Sequence, residues 1–243
     1  MAKFGLIGKD LSHSFSRTFF THKFDKDKRK HSYHNFELDE IDEFPGLIRN
    51  IKGLKGLNVT IPYKETIIPY LDKIDKEAEK IGAVNTIKFR KNGKLIGYNT
   101  DHYGFAKALS DIFPIKEKTA LILGTGGASK AIKYVLETMD FNYEVVSRQE
   151  SPDTITYEEL DEEVISNHLL IVNCTPLGTA PNIEECPKVP YRYITKDHVL
   201  FDLIYNPAET EFMKRGFLKG ARVSNGRKML EYQAKKSWRI WKS

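Results

Sequence analysis

The sequence predicts an α/β protein organised as two domains. Three observations carry that prediction. Short apolar runs alternate with helix-forming segments along most of the chain, several runs end in glycine or in clustered polar residues, and one of them, Thr119 to Leu123, stops at Gly124-Thr125-Gly126-Gly127 and restarts at once as a helix former. Such alternation is the pattern of strands joined by crossover helices. At 243 residues the chain can bury one large or two modest cores. No Pro/Gly-rich linker, internal repeat or low-complexity segment interrupts it, so two domains would be joined by helices rather than by a flexible tether.

Lys3 to Ile7 reads as the first strand. It starts too close to Met1 for the charged and apolar regions of a signal peptide, and no apolar run approaches the ~20 residues of a membrane span. The expectation is a soluble, cytoplasmic protein. The polar loop from Gly8 opens a helix whose stripe Phe15, Phe19, Phe20 and Phe24 is a core-facing pattern. Ser12, Ser14 and Ser16 flank its start, where hydroxyls either cap the helix or bind a carboxylate beside its N-terminus. Ser32 to Leu38 alternates as a strand, Asp39 to Asn50 reads as a capped helix, and Gly56 to Val59 is a short third strand.

That strand runs into Asn58-Val59-Thr60-Ile61-Pro62-Tyr63-Lys64, where Pro62 stops it and sets Lys64 at the start of a following helix. A cation there opposes the helix dipole by a few tenths of a kcal/mol. Lys64 is therefore either one of many exposed lysines or a residue kept for its chemistry. Gly82 to Ile87 leads into a hairpin turning at Lys91-Asn92-Gly93-Lys94, the preferred Asn-Gly signal, and the return strand ends at Asn99-Thr100-Asp101. Asp101 either caps the next helix, which carries Phe105, Ala108, Leu109 and Phe113, or serves a site. Asn58, Thr60, Lys64, Asn85, Asn99 and Asp101 all fall just beyond strand ends, where open α/β sheets place their ligand groups.

After Pro114 the second unit begins. The turn at Gly124 to Gly127 is either an ordinary tight turn or a phosphate loop: Gly124 permits the turn, Gly126 lets the backbone approach a pyrophosphate, and Ser129 is small enough for close helix packing. Tyr143 to Val146 is the next strand. Its end, about 20 residues past the first glycine, holds an Asp or Glu in proteins that bind an unphosphorylated adenosine ribose. Here Ser147-Arg148-Gln149 stands instead, and Arg148 is either a solvated surface charge or a guanidinium for a 2′-phosphate, which it can grip with two hydrogen bonds. Leu169 to Val172 is a buried strand ending at Asn173-Cys174-Thr175-Pro176-Leu177-Gly178-Thr179. Val199 to Leu203 is another, followed by Tyr205-Asn206-Pro207. Thr210 to Lys219 reads as a helix, Arg222 to Ser224 as a last strand, and Met229 to Trp241 as an amphipathic helix carrying Trp238 and Trp241.

The net charge of +5 is spread along the chain, apart from Lys23 to Lys30, where basic residues alternate with Asp as on a solvated helix end. A one-sided basic stripe with stacking aromatics is absent, which argues against nucleic acid and leaves an anionic small substrate or a phosphorylated cofactor. Cys174 and Cys186 lack metal-ligand spacing and read as free thiols. The histidines do not cluster, and no metal is expected.

With these residues in view, the chain resembles the shikimate dehydrogenase family over nearly its whole length. The resemblance rests on Ser14-Phe15-Ser16, Asn58 to Lys64, Gly82-Ala83-Val84-Asn85-Thr86, Asn99-Thr100-Asp101, Gly124 to Ala128, Asn173 to Gly178 and Gln233, all in the family's order. It implies an N-terminal α/β substrate-binding domain, residues 1–101, completed by the C-terminal helix 226–243, with a Rossmann-type NADP-binding domain at 102–225 and the active site in the cleft. It implies reduction of 3-dehydroshikimate to shikimate on the route to aromatic amino acids, with Lys64 and Asp101 as the catalytic pair and NADP as cofactor. Ser14, Ser16 and Tyr205 would bind the substrate carboxylate, and Asn58, Thr60, Asn85, Asp101 and Gln233 its ring hydroxyls. Cofactor contacts fall to Gly124, Thr125, Gly126, Gly127, Ala128, Ser147, Arg148, Asn173, Thr175 and Met229. The protein would work as a monomer or homodimer, without nucleic acid or membrane. The alternatives are a quinate/shikimate dehydrogenase using NAD and a ligand-sensing homologue without activity, which would lack the Lys or the Asp. The chain departs from the family pattern in Arg227-Lys228 after Gly226, in Thr179 for a customary Met, in a shorter stretch before Asn173, and in having no second basic residue after Arg148.

Overall fold

Lys3–Gly8 forms β1, flanked in parallel by β2 (Ser32–Glu37) and β3 (Leu54–Val59). Side chains alternate across β1, so Phe4 and Leu6 join one core and Ile7 the other. The first core is aromatic. Helix α1 (Phe15–Lys26) lays Phe20 and Phe24 against Phe4, Tyr33, Trp238 and Trp241, with Phe20 and Tyr33 stacked at 4.7 Å between ring centroids. The phenylalanine stripe read from the sequence thus packs as core.

The opposite core gathers Ile7, Phe44, Leu57, Val59, Ile67 and Ile87. Helix α2 covers part of this face but spans only Phe44–Asn50. The helix expected from Asp39 starts late because the Glu43 carboxylate accepts from the Asp39 and Glu40 N–H groups, closing a single 3₁₀ turn at Ile41–Glu43; Pro45 then sets the helix start. The segment after β3 is a further correction. No helix begins at Lys64: residues 61–67 are a run of turns ending in a 3₁₀ turn at Ile68–Tyr70. The Lys64 carbonyl accepts from Val84 N–H at 2.8 Å rather than from a residue four further on, and Pro69 has no N–H to continue a helix. The dipole argument for Lys64 therefore falls away.

Two short elements were not read from the sequence, β4 (Lys73–Ile74) and α3 (Lys76–Ile81), although Asp75 and Gly82 cap the latter. β5 (Thr86–Phe89) and β6 (Leu95–Tyr98) form the expected hairpin, with Gly93 at φ +83° in its turn. The sheet order is β2-β1-β3-β5-β6-β4. Helix α4 runs from Asp101 to Ser110, and the last helix, α8, is Arg227–Lys242. Trp241 of α8 donates its indole N–H to the Ile87 carbonyl at 3.0 Å. Gly56 makes that approach possible, since a Cβ there would lie 2.2 Å from the indole nitrogen.

The second sheet is wholly parallel. Its strands β7 (Thr119–Leu123), β8 (Asn142–Ser147), β9 (Ile155–Thr156), β10 (Leu170–Asn173), β11 (Val199–Asp202) and β12 (Arg222–Ser224) stand in the order β12-β11-β10-β7-β8-β9. Counted within this sheet from the β9 edge, that is the dinucleotide-binding order 3-2-1-4-5-6. Helices α5 (Gly127–Thr138), α6 (Glu162–Asn167) and α7 (Glu211–Leu218) cover it. Chain contacts divide the protein into Met1–Gly104 with Leu230–Ser243, and Phe105–Met229. The computed structural model describes residues 1–12, 14–112 and 114–243; Phe113, expected on the α4 face, and His13 lie outside the described residues. Among the described residues, no helix is long and apolar enough to cross a membrane.

Candidate active site

In the first unit, the turn after β3 and the start of α4 bring Lys64 and Asp101 together. Lys64 Nζ donates to Asp101 Oδ2 at 2.7 Å, with side chains 16% and 10% exposed. The other carboxylate oxygen accepts from Asn85 Nδ2 at 2.8 Å. Asp101 is thus gripped from both sides, and its orientation fixes that of the ammonium. Asn85 is fixed in turn, because its Oδ1 accepts from the Thr100 N–H at 2.7 Å and from the Thr86 and Thr100 hydroxyls. The amide orientation follows: only the nitrogen side of Asn85 is left for Asp101.

Asn99, which the sequence placed among the ligand groups, has another task. Its Oδ1 accepts from the Asp101 and His102 N–H groups at 3.0 and 3.3 Å, and its Nδ2 donates to the Ala83 carbonyl. It caps α4, which frees the Asp101 carboxylate for Lys64. Asn58 lies within β3 rather than beyond it. Its Oδ1 accepts from Tyr33 Oη at 2.8 Å, and its Nδ2 faces the Asn85 carbonyl, Thr86 Oγ1 and Ser237 Oγ. Gln233 Oε1 lies 3.2 Å from the Thr100 hydroxyl, competing with Asn85 for its single proton. Thr60 is half-buried just past β3. Ser14 is the N-cap of α1, accepting from Arg17 N–H at 3.2 Å, whereas Ser16 is buried in the first turn of the helix, where its hydroxyl favours the ionised form of the Tyr33 phenol.

Ser237 and Tyr33 escaped the sequence reading. Ser237 is fully buried and its hydroxyl contacts Asn58, Thr86 and Thr100 while donating to the Gln233 carbonyl. Its one sequence signal is the spacing of four from Gln233, which puts both on one face of α8.

In the second unit, Gly124 has φ +102°, and a Cβ on it would meet Thr175 Cγ2 at 3.0 Å. Both the turn and the packing require glycine there. Gly126 is the N-cap of α5 and makes no side-chain cap; a Cβ at this position meets nothing within 4 Å. Open space thus stands before a twelve-residue helix whose first N–H groups, from Gly127 and Ala128 on, suit an anion. Thr125 is exposed beside it, and Ser129 is buried and donates its hydroxyl to the Gly126 carbonyl.

Neighbouring strand ends frame this turn. β7 and β8 pair with Leu123 opposite Val146, so Ser147 and Arg148 follow directly alongside Gly124. Ser147 Oγ accepts from Gln149 N–H, and Arg148 is exposed. From β10, Asn173 Oδ1 accepts from the Thr175 N–H and hydroxyl at 3.0 and 2.6 Å, shaping the turn that packs on Gly124. Tyr205 is half-buried after β11, and Met229 is buried near the start of α8.

Asp202 supports this arrangement from beneath. It is fully buried and accepts from Asn173 Nδ2, Ile204 N–H and the Thr210 hydroxyl. Burial pushes its carboxyl up to about 6, against the pull of those hydrogen bonds. A raised carboxyl adds stability below its unfolded value, and that stability is lost as pH climbs through the folded one. The gap of about two pH units is worth about 3 kcal/mol. Urea unfolding of wild type and Asp202→Asn at pH 4 and pH 7 should show the variant gaining on the wild type by up to that amount; a pH-independent difference would count against the raised carboxyl.

Residues 6–87 match the model of the shikimate dehydrogenase substrate binding domain. A Clostridium botulinum protein named shikimate dehydrogenase (NADP(+)) is 39% identical over 250 residues, covering 98% of this chain and 95% of that one. The crystal structure of shikimate dehydrogenase 1 from Peptoclostridium difficile superimposes with a TM-score of 0.85 at 41% identity, covering 100% of this chain and 92% of that chain. That of the Thermus thermophilus enzyme in complex with NADP(H) and shikimate gives 0.88 at 29% identity, with 99% and 93% covered.

Proposed function

The chain belongs to the shikimate dehydrogenase family, and we propose that its Lys64–Asp101 pair carries the proton transfer of that family's reaction. The protein is an NADP-dependent oxidoreductase that reduces 3-dehydroshikimate to shikimate, on the route to chorismate and the aromatic amino acids. The observation that carries the assignment of roles is the 2.7 Å pair itself, with Asn85 holding the second carboxylate oxygen.

Hydride addition to a ketone leaves an alkoxide that needs both charge stabilisation and a proton. Lys64 supplies both as an ammonium, and in the alcohol-oxidising direction it takes the proton back. Asp101 aims the ammonium and offers its carboxylate to a neighbouring ring hydroxyl. Asn58, Thr60, Asn85 and Gln233 serve the remaining hydroxyls, and Ser14, Ser16 and Tyr205 the carboxylate. NADPH, when bound, supplies the hydride. The glycine turn, the open face at Gly126 and the exposed Arg148 fit a phosphorylated dinucleotide, with Thr125, Gly127 and Ala128 at the pyrophosphate, Arg148 and Ser147 at the 2′-phosphate, and Asn173, Thr175 and Met229 completing the contacts. The reacting molecules are small, and the working unit is a monomer or homodimer in the cytoplasm.

The serine pair gives a distinct expectation. Carboxylate binding is common to ground and transition states, so Ser14→Ala with Ser16→Ala should raise the KM for shikimate about tenfold and leave kcat within about twofold. Loss of the Ser14 cap should also cost about 1 kcal/mol of stability. Unchanged shikimate affinity would reduce the serines to capping and packing groups. The function as a whole is tested by following NADPH formation from shikimate with purified protein, in parallel with NAD. Turnover with NADP in preference to NAD is expected; no turnover with either would point to a ligand-sensing homologue.

A further inference from the structure

Among the described residues, Tyr157 presents a buried phenolic oxygen without a hydrogen-bond partner. Its half-buried ring packs on the core of the second unit, and its oxygen is turned inward, away from solvent. A buried hydroxyl left unpaired is costly, and native folds satisfy nearly all of them. Its position gives a reason for the exception. β8 and β9 run parallel with Val146 opposite Ile155 and Ser147 opposite Thr156. The ladder ends there: Arg148 follows Ser147 in a bend, and Tyr157 follows Thr156 at the start of a 3₁₀ turn, Tyr157–Glu159, so the two residues leave the same end of adjacent strands. Burial pushes the Tyr157 phenol up to about 12; of the titratable groups it senses, the Arg148 cation favours the phenolate and Cys174, itself pushed up by burial, disfavours it. Arg148 directly follows β8 and Cys174 directly follows β10, so the groups that act on the phenol belong to two of the turns that frame the glycine loop. The phenol stays protonated across the working range and keeps a lone pair free to accept.

We propose that Tyr157 is the positioning residue for Arg148: its phenolic oxygen accepts an N–H of the guanidinium and turns the rest of the fork toward the 2′-phosphate of NADP. This rests on the reading of Arg148 as the 2′-phosphate group. It also answers the departure noted in the sequence, where no second basic residue follows Arg148. A lone Arg on an exposed strand end spends its rotamer freedom on binding, and a fixed acceptor behind it reduces that cost. Sequence reading missed Tyr157 because a tyrosine after a two-residue strand carries no periodic signal.

Tyr157→Phe removes the oxygen and keeps the ring. The ratio of kcat/KM for NADP over NAD should fall about 3–10-fold, the effect of one hydrogen bond. The value for NAD itself should stay within about twofold, and the melting temperature should hold or rise, because the unpaired hydroxyl is gone from the free protein. In an Arg148→Ala background the same substitution should leave the ratio unchanged. An undiminished ratio in Tyr157→Phe, or equal losses with NADP and NAD, overturns the proposal while leaving Arg148 in place. A wild type that does not prefer NADP, or an Arg148→Ala variant with an unchanged ratio, overturns the cofactor reading and this proposal with it.

Discussion

Lys64→Ala should lower kcat for shikimate oxidation about 10²–10⁴-fold, the range that general acid–base groups contribute, while the dissociation constant for shikimate moves only a few-fold. The difference follows from where the charge develops. The ketone and the alcohol are neutral at the reacting oxygen, so the ammonium gains most when that oxygen becomes an alkoxide, and an interaction made mainly in the transition state appears in kcat. The variant should fold, since Asp101 keeps its hydrogen bond from Asn85 and the pair remains open enough for water to solvate the carboxylate. Lys64→Arg should not restore activity, because a guanidinium does not release its proton in the working range. Steady-state kinetics with equilibrium binding of shikimate checks both halves; near wild-type turnover would remove Lys64 from the mechanism.

Arg148→Ala should weaken NADP about 10–100-fold, the equivalent of one charge-assisted hydrogen bond at roughly 1.5–3 kcal/mol. NAD should hardly respond, since it lacks the phosphate that the guanidinium grips. A carboxylate at this strand end would instead accept from a ribose diol and repel the phosphate. With no second basic residue after Arg148 in the sequence, its loss should erase most of the discrimination. The test is the ratio of specificity constants for the two dinucleotides in wild type and variant. An unchanged ratio would mean that another group reads the 2′ position, and a wild type that prefers NAD would reverse the cofactor assignment.

These two residues also show what the sequence made legible. Gly124 was readable because a positive φ admits few residues other than glycine, and the loop carried its context of strand before and helix after. Arg148 was readable because its distance from that loop is set by one helix and one strand. Lys64 was singled out for the start of a helix that does not form. What places it is the Val84 N–H on its carbonyl and the carboxylate of Asp101, and both are tertiary contacts without a local pattern. The assignment of Asn99 failed for a related reason: Asn at a strand end and Asn at a helix cap look alike in sequence, and only the Asp101 and His102 N–H groups on its side chain separate them. Ser237 and Tyr33 were invisible because their partners lie far along the chain, Ser237 reaching Asn58 and Thr86 across most of its length. The short β4 and α3 were too brief for hydrophobic periodicity to register.

The most direct measurement of the central claim is chemical rescue. In Lys64→Ala, a small primary amine such as ethylamine can enter the space left by the side chain and meet Asp101. The account predicts that NADPH formation from shikimate rises with amine concentration in the variant, toward saturation, with no such rise in the wild type. A rate that ignores the amine, in a variant that still binds shikimate and NADP normally, would contradict the assignment of proton transfer to the Lys64 ammonium.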